Sequence, residues 1–197
     1  MMNLEIREWR SENQLHRGDG LPAIEYSIGP KYWWVNGKRH RDGDLPAIDN
    51  NVTGKQEWWV NGKRHRDGGL PAVVGTFGLR EWWVAGKLHR DGDQPAVVSY
   101  WHQIWVVNGK RHRDGGMPAV ERSYQTASIG RQEWWFEGHQ ISQAQSKWIA
   151  NIQAREDTRR KWFILQQMAR FRCDPSRAFV RRRLERELRD FHEQLCN

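Results

Sequence analysis

The same pattern of apolar and polar residues recurs at a fixed interval along most of this chain. In the segment Trp58–Gly68 an aromatic run, Trp-Trp-Val, is followed by Asn-Gly, by Lys-Arg-His-Arg and by Asp-Gly. His-Arg recurs at spacings of 24, 25, 24 and 23 residues, at His16, His40, His65, His89 and His112. Pro-Ala keeps step with it, at Pro22, Pro46, Pro71, Pro95 and Pro118. A period of this size indicates an array built from one repeated supersecondary unit.

Each unit contains the signals of a β-hairpin. The aromatic run favours a strand, and Asn-Gly is the preferred central pair of a type I′ turn, in which both residues need a positive φ. The predicted turn residues are Asn36, Gly37, Asn61, Gly62, Gly86, Asn108 and Gly109. The Lys-Arg-His-Arg run reads as the second strand, with Arg64 as a surface residue. The Asp-Gly-x-Leu-Pro-Ala segment then predicts a bend, because Gly and Pro disrupt a central strand.

A short β-prone run after Pro-Ala and a second turn, near Gly54, Gly78 and Gly130, complete the unit. The sequence therefore predicts a mainly β protein. Consecutive hairpins should pair into an elongated, single-layer antiparallel meander of five to six units over residues 1–140. The degenerate first unit and the truncated last unit are typical of capping repeats.

Two adjacent tryptophans in a strand point to opposite faces of the sheet. Both faces should therefore carry a row of Trp, and these rings form a candidate interaction surface: Trp33, Trp34, Trp58, Trp59, Trp82, Trp83, Trp134 and Trp135. We expect the repeated His and Arg to pack beside Trp, and the Arg to pair with the Asp that follows it in the bend.

Residues 141–197 have a different pattern, which predicts a basic helical appendage. Two helices are expected, at roughly 143–171 and 175–195, with Asp174-Pro175 as the start signal of the second. An apolar stripe runs along the second helix: Val180, Leu184, Leu188, Phe191 and Leu195. The stripe fits two interpretations, packing that caps the open last strand of the array, or a surface for self-association.

The net charge of +8 is concentrated in this appendage. Residues 1–140 hold 19 Lys+Arg and 17 Asp+Glu, a net +2, whereas residues 141–197 hold 13 and 7, a net +6. Candidate basic contacts are Arg159, Arg160, Lys161, Arg181, Arg182 and Arg183. Such runs are either a solvated helix face or a contact for phosphates or an acidic partner.

Several chemical interpretations fail on spacing. His-Arg-Asp resembles the protein-kinase catalytic loop, but Ala47 and Ala72 stand where that motif needs Asn. Equivalent His residues should lie about 10 Å apart, too far to share one zinc ion. We therefore expect no catalytic residues, no metal and no cofactor.

The sequence also bears on the protein's location. It contains no apolar run of transmembrane length and no signal peptide at its N-terminus. Cys173 and Cys196 are its only cysteines and are expected to be free thiols. An intracellular, reducing compartment is the expected location.

The motif Asn-Gly-Lys-x-His with a following bend resembles the MORN repeat (membrane occupation and recognition nexus). The match lies at residues 36–40, 61–65 and 108–112, and partly at 86–89. Arg41, Arg66, Arg90 and Arg113 stand where Gly usually follows His. The variant with Leu-Pro-Ala looks most like repeat proteins of giant DNA viruses of amoebae, especially pandoraviruses, which would place the protein in virions or infected cells.

The resemblance implies stacked hairpins and a scaffold for protein association, sometimes at membranes. The nearly neutral array disfavours peripheral membrane contact. The leading hypothesis is therefore a non-enzymatic scaffold that binds a protein partner or itself, as a viral structural or host-interaction protein. The alternative is a nucleic-acid-associated protein that acts through its Arg-rich helical tail.

Overall fold

The computed structural model describes residues 5–122 and 132–153, and this part of the chain is mainly β. A ten-stranded antiparallel sheet forms a meander in the order β1-β4-β5-β8-β9-β12-β13-β16-β17-β20. Its strands are β1 (Ile6–Glu8), β4 (Ile24–Tyr26), β5 (Pro30–Tyr32), β8 (Ile48–Asn50), β9 (Lys55–Glu57), β12 (Val73–Val74), β13 (Arg80–Glu81), β16 (Val97–Val98), β17 (His102–Ile104) and β20 (Val120–Arg122). A 3₁₀ turn at Thr76–Gly78 joins β12 to β13.

Six two-stranded hairpins lie outside this long sheet in the described part of the chain. They are β2 (Arg10–Ser11) with β3 (Gln14–Leu15), β6 (Trp34–Val35) with β7 (Lys38–Arg39), β10 (Trp59–Val60) with β11 (Lys63–Arg64), β14 (Trp83–Val84) with β15 (Lys87–Leu88), β18 (Val106–Val107) with β19 (Lys110–Arg111), and β21 (Trp134–Phe136) with β22 (His139–Ile141). Each unit therefore contributes to two kinds of sheet.

The first Trp of each unit is where the chain passes from one sheet to the other. The Trp33 N–H donates to Ala47 O at 2.9 Å, toward the long sheet, while Trp33 O accepts from the His40 N–H at 3.2 Å, in the hairpin. Trp58, Trp82 and Trp105 make the same two bonds. The sequence predicted a single meander, and the structure differs from it. The first Trp of each unit bonds through its N–H to the long sheet and through its C=O to the hairpin, so each unit is divided between two sheets.

The hairpin turns have the backbone that a type I′ turn requires. Asn61 has φ 49° and Gly62 has φ 78°, and the other turns repeat this pair of positive values. The first and last units reach the same geometry with Glu12-Asn13 and Glu137-Gly138. A turn of this kind therefore forms even where Asn-Gly is missing.

Successive hairpins are stacked through the glycine of each turn. The Gly62 N–H donates to Arg39 O of the preceding hairpin at 2.8 Å, and the Gly86 N–H donates to Arg64 O at 2.8 Å. Some steps have a second backbone bond, as from the Arg41 N–H to Trp59 O at 3.4 Å, but the hairpins remain separate two-stranded sheets. Side chains must therefore supply much of the contact between neighbouring hairpins.

The core is thin and lies where the two kinds of sheet meet. The alanine after each proline is fully buried, at Ala23, Ala47, Ala72, Ala96 and Ala119. Around these alanines lie the first Trp of each unit and the valines of the long sheet; Val73, for example, is 2% exposed.

A helix, α1 (Gln143–Gln153), follows the last hairpin directly. Ser142 caps it, since the Gln145 N–H donates to Ser142 Oγ and the Ser142 N–H donates to Gln145 Oε1 at 2.8 Å. Its apolar side packs on the hairpin through Ile149, Phe136 and Ile141. The start of the first predicted helix is confirmed; the rest of it and the second predicted helix lie outside the described residues.

Candidate interaction surface

The first Trp of each unit reaches into the bend of the unit before it. The Trp58 Nε1–H donates to Asp44 O at 3.0 Å, and the Trp82 Nε1–H donates to Gly69 O at 2.8 Å. The same bond recurs at Trp33, Trp105 and Trp134. Each indole thereby satisfies a bend carbonyl of its neighbour and binds the two units together.

An arginine from the His-Arg motif covers the first Trp ring in each of the first five units. The guanidinium carbon lies 3.6–3.8 Å from the ring centroid in the pairs Arg17–Trp9, Arg41–Trp33, Arg66–Trp58, Arg90–Trp82 and Arg113–Trp105. Each arginine also donates to the carbonyl of the proline five residues later. The rings of Trp33, Trp58 and Trp82 are therefore sandwiched inside the array and only 6–8% exposed.

The aspartate that follows the arginine is not its partner. Asp67 accepts instead from His65 Nε2 at 3.0 Å. Arg66 reaches back to Asp44 of the preceding bend, with Nε–Oδ1 2.8 Å and Nη2–Oδ2 3.0 Å, a bidentate pair. This pairing holds the pKa of Asp44 below its ordinary value. Arg113 and Asp93 form the same kind of pair between the fifth unit and the bend of the fourth.

The repeated histidines link consecutive units. His40 Nδ1 accepts the backbone N–H of Asn61, the first turn residue of the next hairpin, at 3.2 Å. His16, His65, His89 and His112 do the same for Asn36, Ala85, Asn108 and Glu137. Nε2 of His40, His65, His89 and His112 faces an aspartate, and because Nδ1 accepts, the ring hydrogen is assigned to Nε2 in these four. Sequence reasoning placed these residues beside Trp but missed this bond.

The second Trp of the pair belongs to another network, on the opposite side of the hairpin. Glu57 Oε2 accepts from Trp59 Nε1 and from Arg64 Nε, both at 3.0 Å, and Glu57 Oε1 accepts from Lys55 at 2.8 Å. Burial acts to raise the pKa of Glu57, but the hydrogen bonds and charges of Lys55 and Arg64 outweigh it and the pKa is lowered.

Arginines lie between these second rings. Arg39 lies over Trp34 and Trp59, at 4.9 and 4.8 Å, and Arg64 lies over Trp59 and Trp83, at 5.0 and 5.1 Å. The rings of Trp34, Trp59, Trp83, Trp134 and Trp135 are half-buried. The predicted Trp surface is thus largely engaged in contacts between units, and its use by a partner stays a prediction.

What the array presents to solvent repeatedly is the bend. We define the bend face as the bend segments 17–21, 41–45, 66–70, 90–94 and 113–117 together with the residue before each hairpin turn, Val35, Val60, Val84, Val107 and Phe136. Leu21, Leu45, Leu70 and Met117 are 45–47% exposed on it. Asp42, Asp67 and Asp91 have side chains 93–94% exposed. A hollow of about 260 Å³ near the first two bends includes Leu21, Val35 and Leu45 in its lining.

Helix α1 covers part of the last bend on this face, around Gly116 and Phe136, while Met117 in the same bend stays 46% exposed. A Cβ built at Gly116 would lie 3.2 Å from Lys147 Cα and 3.4 Å from Ala150 Cβ, whereas no atom of the described residues comes within 4 Å of one built at Gly20 or Gly69. Gln153 Nε2 donates to Asp114 Oδ1 at 2.8 Å. Phe136 is 4% exposed, while Val60, Val84 and Val107 are 36–44% exposed. The units before the last therefore leave open a surface that a helix occupies at the end.

A second row of exposed apolar side chains lies in the turns between strands of the long sheet: Ile28, Val52, Phe77, Tyr100 and Trp101. Phe77 and Trp101 are in ring contact at 4.9 Å. Beside them, Ser99 Oγ lies 3.3 Å from His102 Nδ1, which resembles part of a nucleophilic site. However, Ser99 Oγ also accepts the N–H groups of Trp101 and His102, so it organises the turn.

The remaining predicted sites are placed as follows. The basic residues Arg159, Arg160, Lys161, Arg181, Arg182 and Arg183 lie outside the described residues. Within residues 5–122 and 132–153, no group of three or more His, Cys, Asp or Glu side chains is arranged to hold a metal ion. In the same ranges, no helix has the length and apolar character needed to cross a membrane.

Comparison of the chain with protein-family models, with curated proteins and with solved structures gave no match. The surface must therefore be interpreted from its own geometry.

Proposed function

We propose that this protein is a non-enzymatic repeat scaffold that associates with a protein partner through its bend face. The proposal rests on helix α1, which packs on the bend face at the end of the array. Helix α1 packs over Phe136, which is 4% exposed, while Val60, Val84 and Val107 at the same position in earlier units are 36–44% exposed. The units share one backbone design, so a surface that accepts a helix at one end supports helix binding along its length.

The chemistry of the repeats also favours a scaffold. The repeated His, Arg and Asp side chains resemble catalytic groups, but they bond to one another or to backbone groups, as in the contacts His40–Asn61, His65–Asp67 and Arg66–Pro71. A catalytic centre needs one asymmetric cluster, whereas identical units form an extended surface. The kinship with MORN-like viral proteins and the intracellular location stay predictions from the sequence.

The bend face has the composition expected of a protein contact rather than a nucleic-acid contact. It combines a leucine row with a row of exposed aspartates, and carboxylates repel phosphates. Nucleic-acid binding would therefore depend on the arginines beyond residue 153, and it stays the alternative.

Affinity capture from cells that express the chain tests the proposal. The full chain would be compared with a Leu45→Asp, Leu70→Asp double variant and with a Val52→Asp control, since Val52 is exposed but lies in a turn of the long sheet. We expect a set of proteins that the wild type and the control retain and the double variant loses. Equal retention by all three would overturn the use of this face. Capture dominated by nucleic acid that is released steeply by salt would favour the alternative.

A further inference from the structure

The bends of the array differ from unit to unit in one side chain. The second and fourth bends carry Asp44 and Asp93 where the first and third carry Gly20 and Gly69. The backbone is the same at all four positions, because φ is 51–69° and each carbonyl accepts from the first Trp of the next unit at 2.8–3.0 Å. Over these four units, a bend with a carboxylate therefore alternates with a bend without one.

The arginine that follows each of these bends is placed in the same way every time. Its guanidinium carbon lies 3.6–3.8 Å from the centroid of the first Trp ring of its unit, and its Nη1 donates to a proline carbonyl at 3.1–3.3 Å. Nη1 is thus used inside the unit, and Nε and Nη2 remain for the preceding bend. These arginines are Arg41, Arg66, Arg90 and Arg113.

In two units these atoms hold a carboxylate of the chain itself. Arg66 binds Asp44 with Nε–Oδ1 2.8 Å and Nη2–Oδ2 3.0 Å, and Arg113 binds Asp93 through the same atoms at 2.9 and 3.4 Å. A pair with two parallel bonds is the strong and directional form of an arginine–carboxylate contact. The array thus contains two filled examples of one site.

In the other two units the site is open. Arg41 follows the bend of Gly20 and Arg90 that of Gly69, and within residues 5–122 and 132–153 no acceptor lies within hydrogen-bond distance of the Nε or Nη2 of these arginines. A Cβ built at either glycine would have no neighbouring atom within 4 Å. Burial lowers the pKa of Arg90, and burial, opposed by Asp49, lowers the pKa of Arg41. Each open site therefore holds a partly desolvated cation that a carboxylate would stabilise.

We propose that the Arg41–Gly20 and Arg90–Gly69 positions are carboxylate-binding sites that receive Asp or Glu side chains of a protein partner. The partner's carboxylate takes the place on Nε and Nη2 that the Asp44 carboxylate takes on Arg66. The inference rests on the proposed function, since both sites lie on the bend face, and it adds the chemistry by which the partner is recognised.

The exposed aspartates near these sites do not prevent such a pair. Arg66 holds Asp44 although Asp67 follows it directly in the chain, because the Asp67 carboxylate accepts from the histidine of its own unit. Asp42 and Asp91 stand in the same position in the two units with open sites, and each also faces its own histidine. The charges around the open and the filled sites are therefore alike.

A hollow in the surface gives a ligand access to the first open site. Its volume is about 260 Å³, and Gly20, Arg41 and Leu45 are among the residues that line it. The equivalent hollow at the fourth and fifth bends has about the same volume, and its lining includes Asp93 and Arg113. The same hollow thus contains the arginine's carboxylate partner in one place and lacks it in the other.

The spacing of the two open sites constrains the partner. They are two units apart, which corresponds to about 20 Å along the array. A helix with two acidic residues about 14 positions apart would reach both. Once the first carboxylate is bound, the second contact forms within the complex, so a partner with this spacing binds more tightly than one with a single acidic residue.

The geometry is tested without a partner by giving Arg90 a carboxylate on the chain itself. In Gly69→Asp, Arg90 receives the partner that Arg66 has in Asp44. Gly69→Asn is the matched control, because Asn also tolerates a positive φ but carries no charge. We expect the Tm of Gly69→Asp to exceed that of Gly69→Asn by about 2–4 °C. A Tm equal to or below that of the control would show that Arg90 takes no carboxylate there and would overturn the proposal.

Binding of an external carboxylate is tested by NMR of isotope-labelled full-length protein with poly-L-glutamate as the probe. We expect poly-L-glutamate to shift the Nε–H signals of Arg41 and Arg90. The Gly20→Asp, Gly69→Asp variant should lose both shifts, and the Gly20→Asn, Gly69→Asn variant should keep them. Unchanged signals in the wild type, or equal shifts in the Asp variant, would overturn the sites. A larger response to inorganic phosphate at equal charge would overturn their assignment to carboxylates.

Affinity capture connects the sites with the partner. Proteins that the wild type and the Gly20→Asn, Gly69→Asn variant retain should be lost from the Gly20→Asp, Gly69→Asp variant, whose own carboxylates occupy the sites. Equal retention by the Asp variant would overturn carboxylate recognition. The Leu45→Asp, Leu70→Asp comparison is read separately, so the scaffold function can stand if the carboxylate sites fail.

Discussion

A substitution at Tyr32 should stabilise the array by restoring an acceptor that one unit lacks. In the next unit, Glu57 accepts from the second Trp and from the arginine of the hairpin. Tyr32 occupies the equivalent position, and among the described residues Trp34 Nε1 and Arg39 Nε are the buried side-chain atoms without a hydrogen-bond partner. Tyr32→Glu places a carboxylate where both donors can use it.

The expected gain follows from opposing contributions. A buried donor without an acceptor costs about 1–3 kcal/mol, so satisfying two should recover about 2 kcal/mol or more. The change removes the edge contact between Tyr32 and Tyr26, with ring centroids 6.2 Å apart, which is worth about 0.5–1.5 kcal/mol. Burial lowers the pKa of Arg39, and a neighbouring carboxylate would favour its charged form. We expect a net gain of about 1 kcal/mol.

Thermal and urea unfolding of the full chain measure this gain. A stabilisation of about 1 kcal/mol should raise the Tm by about 2–4 °C for a chain of this size. Tyr32→Leu is the matched control, because it removes the ring and adds no acceptor, and it should lower the Tm. If Tyr32→Glu melts no higher than Tyr32→Leu, an acceptor for Trp34 Nε1 and Arg39 Nε does not stabilise the fold, and the reasoning is refuted.

Three further predictions concern contacts between elements. His89→Phe keeps a ring but removes the acceptor for the next turn, and it should lower the free energy of unfolding in urea by about 1–2 kcal/mol. The same change at the exposed His139 should lower it by under about 0.5 kcal/mol, and equal losses would contradict the His89 bond. Gly116→Ala should destabilise the fold by about 1–3 kcal/mol more than Gly69→Ala, because both glycines have φ near 70° but only Gly116 contacts α1. Equal Tm values for the two variants would mean that α1 does not pack on Gly116. Carboxyls with lowered pKa values stabilise the fold fully above their unfolded pKa and lose this contribution as the pH falls through the folded pKa, so the Tm of the wild type should fall below about pH 4.5. The Tm of Glu57→Gln should fall less over the same range. A Tm profile parallel to that of the wild type would show that Glu57 does not contribute. These carboxyls are Glu25, Asp44, Glu57 and Glu133.

The repeated hairpin could be predicted because its determinants are local. A type I′ turn is specified by two residues that tolerate a positive φ, and the flanking strands by a short aromatic run. The strand after Pro-Ala could be predicted for the same reason. The division of each unit between two sheets could not, because it depends on where the Trp33 N–H finds its acceptor, and Ala47 is 14 residues away.

The side-chain contacts between units were harder to predict because they depend on the stacking offset. Arg64 reads as a surface strand residue, yet it lies between Trp59 and Trp83 and donates to a buried carboxylate. The start of α1 had a recognisable signal, since Ser142 and Gln145 match the spacing of a capping box. The bend face had a signal too, in the recurrence of Leu before Pro-Ala, but exposure on an array cannot be read from one unit.

The direction of the hydrogen bonds explains how the array ends. Each unit offers its successor a histidine Nδ1 and a strand carbonyl, so every internal unit is bonded on both sides. The last hairpin has Ile141 where earlier units have histidine, four residues after the first turn residue. Ile141 is 8% exposed and packs with Phe136 and Ile149 under α1. With α1 rather than another hairpin following, an acceptor at this position would be buried without a donor, and an apolar residue that a helix can cover is the better termination.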